Sequence, residues 1–120
     1  MGSPYEISRM ENEQLRQVPD YQLLGALSNT AVRNEKMFDE ARRRELLTES
    51  EIRLVKKRSL KKGMSEYALI AARGQPIRVE SLPGAPDKKK YVYGFDTKYT
   101  SETFVFIDKG KVSGWWEKKN

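Results

Sequence analysis

The stretch Lys62-Gly-Met-Ser-Glu-Tyr-Ala-Leu-Ile-Ala-Ala-Arg-Gly-Gln-Pro76 decides the fold, because the period of the sequence changes at its end. Ser65 offers an N-cap oxygen, and Tyr67, Leu69, Ile70 and Ala71 give the following residues a broad apolar side at helical spacing. Gly74 suits the left-handed conformation that ends a helix, and Pro76 blocks its continuation. One short helix over 66–73 is the reading, with Gly63 breaking the chain before it.

Beyond Pro76 the pattern alternates. Ile77 and Val79 fall on one side of an extended segment, which predicts a half-buried strand over 77–82. Pro83-Gly-Ala-Pro-Asp87 and Lys88–Lys90 read as a loop. Tyr91, Tyr93 and Phe95 alternate with Val92 and Gly94 in a second strand. After a polar link over 96–101, Phe104-Val-Phe-Ile107 reads as a third strand. Asp108-Lys-Gly110 then makes a tight turn in which Gly110 supplies a positive φ, and 111–117 pairs back. The expected class is α+β: N-terminal short helices followed by a helix packed on a three- to four-stranded antiparallel β-meander.

Upstream, residues 1–19 are polar with isolated apolar positions and read as a partly ordered arm headed by a cloning remnant, Met1-Gly2-Ser3. Residues 20–61 form a helical region. Val18-Pro-Asp20 starts a helix over 20–29, and Asn34 caps one over 34–46. Thr48-Glu-Ser-Glu51 is a capping box opening a third over 49–58. Residues 62–120 are the helix-plus-sheet module, and the whole is expected as one compact unit.

The composition narrows the chemistry. With 120 residues, no Cys and no His, the chain lacks disulfides, thiol catalysis, His-based proton transfer and ordinary zinc ligation. No run approaches the roughly 20 apolar residues that span a bilayer as a helix. A net charge of +6 suits an anionic partner, although carboxylates are interspersed among most of the basic residues. Carboxylate spacing singles out no catalytic pair, and there is no phosphate-binding Gly-rich loop and no metal-ligand spacing. The expectation is a non-enzyme with no cofactor, no metal and no small-molecule substrate.

Residues 60–117 resemble the SmpA/OmlA/BamE-like small bacterial envelope lipoproteins. The resemblance rests on Gly63-Met64-Ser65 opening a helix, Gly74-x-Pro76 closing it, Tyr91-x-Tyr93, Phe104-Val-Phe106, and Asp108-Lys-Gly110-Lys-Val112. It implies helices laid on a small antiparallel sheet, an exported and lipid-anchored setting, and action by contact with another envelope protein. Localisation at the periplasm or the periplasmic face of the outer membrane follows if a native leader has been removed, and a cytoplasmic one otherwise. The ending Trp115-Trp116 lies outside the family pattern.

Three surface features stand as candidates. Adjacent strand residues point to opposite faces, so Trp115 and Trp116 cannot share one core. One is expected inside, and the other as a partner anchor with Tyr99, Lys109 and Lys111 on the outer sheet face and hairpin. The basic patch Lys56, Lys57, Arg58, Lys61 and Lys62 reads either as a solvated helix end favoured by the macrodipole or as a contact for anionic lipid or nucleic acid. Arg42, Arg43 and Arg44 read as intrahelical ion-pair partners, with Asp39 four residues before Arg43. The aromatics Tyr91, Tyr93, Phe104 and Phe106 are taken together as the buried face beneath the 66–73 helix.

The functional expectation is a non-enzymatic envelope protein that binds another protein as a scaffold or assembly factor. The first alternative is a basic nucleic-acid-binding protein using Lys56–Lys62, Lys88–Lys90 and the sheet aromatics. The second, by architectural analogy, is an inhibitor of a secreted enzyme.

Overall fold

A computed structural model describes residues 2–96 and 101–118. Among the described residues the order is six helices and then four strands, an α+β arrangement ending in an antiparallel meander. The helices are α1 (Pro4–Ser8), α2 (Asn12–Leu15), α3 (Asp20–Leu27), α4 (Glu35–Arg43), α5 (Glu49–Lys57) and α6 (Glu66–Arg73). The strands are β1 (Arg78–Leu82), β2 (Ala85–Asp96), β3 (Ser101–Asp108) and β4 (Lys111–Lys118).

The chain divides into two compact units. Met1–Leu60 and Tyr67–Gly74 form one, and Lys61–Glu66 and Gln75–Asn120 form the other. The division falls between Leu60 and Lys61, and the body of α6 groups with the earlier helices while its first residue, Glu66, groups with the sheet.

In the helical unit, α1 packs on α3, α2 on α4 and α3 on α4. The caps read from the sequence are in place. Asn34 accepts the Met37 amide at 3.1 Å, and Thr48 and Glu51 exchange reciprocal side-chain-to-amide bonds of 3.1 Å each. Helix α4 stops at Arg43 rather than Leu46 because Glu45 turns left-handed at φ 58°, letting the Leu46 amide reach back to the Ala41 carbonyl at 3.0 Å.

Residues 2–19 are not a frayed arm. They form α1 and α2, and Ile7, Leu15 and Val18 are almost fully buried. Their order is held from a distance: the Arg44 guanidinium donates to the Leu15 and Val18 carbonyls, each at 2.7 Å, and to Asp20 at 2.9 Å. Those carbonyls lie at the end of α2 and just beyond it, where the regular helical ladder no longer supplies donors, although the Leu15 carbonyl also accepts the Val18 amide at 3.1 Å.

In the sheet unit, the strand order is β1-β2-β3-β4, every neighbouring pair antiparallel. The expected loop over 83–90 contracts to the turn Pro83-Gly84, with Gly84 at φ 72°, and Ala85–Lys90 joins β2. A register shift takes up the difficulty: Ser81 faces Lys89 while Leu82 faces Ala85, so Pro86, which has no amide hydrogen, makes no ladder bond to β1. Ile77 and Val79 are 57 % and 49 % exposed rather than half-buried, since β1 is an edge strand. The β3–β4 hairpin closes through Lys109 and Gly110 at φ 53° and 79°, the two left-handed residues that the twist of a two-residue hairpin requires.

Candidate protein-binding surface

Register assigns the aromatic residues to opposite faces. Tyr91 pairs with Val105 and Val105 with Trp115, whereas Val92 pairs with Phe104 and Phe104 with Trp116. Tyr91, Val105, Ile107 and Val112 lie on one face, and all four are buried. Phe104, Phe106 and Trp116 lie on the other, the first two half-buried and Trp116 57 % exposed. Tyr91, Tyr93, Phe104 and Phe106 are therefore not one buried set. Alternation within each strand was legible, but the offset between strands was not.

The open face has a defined geometry. Trp116 stacks on Phe104 with ring centroids 5.6 Å apart and planes inclined by 16°. The Lys90 ammonium sits 4.9 Å from the Phe104 centroid and bonds Glu80 at 3.0 Å. Arg78 binds the other Glu80 oxygen at 2.6 Å. Hydrogen bonds from Arg78 and then Lys90 hold the Glu80 carboxyl below its ordinary range. A row of rings is thus bordered by a charged cluster fixed on β1 and β2.

Both tryptophans are solvent-accessible, which corrects the expectation that one is a core residue. Trp115 shares the face of buried Val105 yet remains 41 % exposed, because β4 is the last strand of the sheet. Lys109 and Lys111 carry exposed side chains at the hairpin end, where the Lys109 amide donates to the Asp87 carbonyl at 3.0 Å. Tyr99 lies outside the described residues.

The basic run falls across the division between the two units. Lys56, Lys57 and Arg58 belong to the helical unit, whereas Lys61 and Lys62 belong to the sheet unit. Lys56 is committed to Glu35 at 2.7 Å and lies 5.0 Å from the Phe38 centroid. Arg58 ends α5 in the left-handed conformation at φ 53°, donates to the Ser28 carbonyl at 2.8 Å and accepts from Arg73 at 3.0 Å. These are structural duties. Lys57, Lys61 and Lys62 are exposed.

Gly63, Gly74 and Gly110 all have positive φ. Gly74 also returns its amide to the Ile70 carbonyl at 2.7 Å, closing α6 before Pro76. Ser65 forms an antiparallel bridge with Lys111. Glu66, which the sequence did not single out, accepts bonds from the Tyr91 hydroxyl and from Lys89, the latter at 3.0 Å.

Among the described residues, no three His, Cys, Asp or Glu side chains converge in a way that would hold a metal ion, and no helix is long and apolar enough to cross a membrane. No family model matches the chain, and neither a curated protein nor a solved structure matches it.

Proposed function

We propose that the chain is a non-catalytic protein-binding module, a scaffold or assembly factor, whose recognition surface is the open face of the sheet. The observation that carries this reading is the row Phe104, Phe106 and Trp116, apolar and accessible on a face bordered by Lys90, Arg78 and Glu80. Large rings with a charged border are the composition of interface hot spots. The resemblance of residues 60–117 to small envelope lipoproteins favours the bacterial cell envelope as the setting.

Nucleic acid is the less suited partner for this face. A base-stacking platform needs free ring faces, and Phe104 is already engaged by Trp116 and by the Lys90 ammonium. The lysines nearby alternate with Glu80, Glu102 and Asp108, so no continuous track for phosphates forms.

Site-specific photo-crosslinking in native cells tests the proposal, with the crosslinker placed at Phe106 and, as control, at exposed Arg53 of α5. Discrete protein adducts from position 106 and none from 53 are expected. Nucleic-acid adducts at 106, or no adduct there, would overturn it.

A further inference from the structure

The outer edge of β4 has a partner for only part of its length. Gly63 donates its amide to the Val112 carbonyl and Val112 donates to the Met64 carbonyl, each at 2.8 Å, while Ser65 bridges Lys111. The chain upstream then turns away through Lys61 and Lys62, with the Met64 amide bonded to the Lys61 carbonyl at 3.2 Å. From Ser113 to Lys118 no further strand or bridge pairs with this edge among the described residues, and Ser113 and Trp115 to Lys118 are exposed.

We infer that this edge receives an extended segment of the protein partner by strand addition. The inference rests on the protein-binding reading above and specifies how the partner is held and what its charge pattern is. Three observations support it. Antiparallel ladders alternate inward and outward amides; Val112 points outward, and the β3–β4 register carries the outward set on to Trp115 and Glu117. Trp115 and Trp116 stand on opposite faces of that same stretch, so an added strand finds a ring on each side. The edge is also unguarded by proline over these residues, unlike β1, which runs into Pro83.

Charge identifies the class of segment. The strand already paired with β4 matches its ends with carboxylates, Asp108 opposite Lys111 and Glu102 opposite Lys118. The free edge is flanked in the same way, by Lys118 at one end and by exposed Lys61 and Lys62 at the other. The partner segment is therefore apolar in its middle and acidic at its ends.

The probe is a blocked peptide with the β3 sequence, acetyl-ETFVFID-amide, titrated into the full chain labelled with 15N. Saturable binding is expected, with exchange of the Trp115 and Glu117 amides slowed by roughly tenfold or more. The double variant Lys61→Glu/Lys62→Glu should weaken binding about fivefold, and Lys57→Glu should leave it unchanged. Glu117→Pro removes an outward donor and should abolish binding. If that variant loses its fold by circular dichroism, the lysine variants decide. No protection at about 1 mM peptide, binding indifferent to the lysine reversals, or edge protection that rises with chain concentration alone would each overturn the inference. Face crosslinks from position 106 that persist in the face of such a result would leave the protein-binding proposal standing.

Discussion

Glu40 is almost fully buried, and its carboxylate is held by Arg43 and Arg44 at 2.7 to 3.0 Å. The Arg43 hydrogen bonds, opposed by burial and joined by those of Arg44, lower its pKa to about 2 from 4.5. A lowered carboxyl pKa stabilises the fold above the unfolded value, and that contribution is lost as the pH falls through the folded one. Urea denaturation should therefore show stability declining between about pH 4.5 and pH 2, and Glu40→Gln should flatten that decline. At pH 7 the same substitution should cost about 2 kcal/mol, since Arg44 is only 12 % exposed and loses one charge-assisted bond while keeping Asp20. The arginine run illustrates what a sequence conceals at this scale. Intrahelical pairing was legible, but Asp39 takes Arg42 at 2.6 Å rather than Arg43, and Arg44 leaves the helix to bind carbonyls 26 and 29 residues earlier. Nothing in local spacing marks an arginine whose donors serve remote backbone, and so the N-terminal segment read as an arm.

Elements were legible where local chemistry specifies them. Asn34, the Thr48–Glu51 box, Gly74 and the Lys109-Gly110 turn each act where the sequence places them, because caps and turns are satisfied within a few residues. Thr48→Ala should accordingly lower stability by about 1 kcal/mol in thermal denaturation. Lys109→Asn should raise it by about 0.5 kcal/mol, because φ 53° is strained for lysine and tolerated by asparagine. A lower melting temperature for that variant would show that the lysine side chain contributes more than its backbone strain removes. The aromatic faces were not legible, because a strand's inward side depends on inter-strand register. Here the shifts at Ser81/Leu82, Tyr93/Asp96 and Phe106/Ile107 fix it, and none is written in a single strand. The loop expected over 83–90 failed for a related reason: two prolines and three lysines argue against a strand until a bulge accommodates them.

For the whole molecule, the sheet unit carries eleven Lys and Arg against seven Asp and Glu, so most of the +6 resides with the surface proposed to recognise a partner. The fold class follows from the change of period after Pro76, while the surface emerged only with the register. The sequence brought Trp115 and Trp116 forward as an opposed pair, and the structure adds Phe104 and Phe106 to Trp116. Because Trp116 is exposed, its removal should spare the fold: Trp116→Ala should cost about 1 kcal/mol, the worth of the Phe104 stacking. The decisive measurement is the dissociation constant of Trp116→Ala for the protein captured from position 106, set beside the variant's unfolding free energy. A loss of affinity of about tenfold or more with the fold retained is the predicted result. Unchanged affinity, or weakened binding that merely tracks unfolding, would contradict a recognition surface on this face.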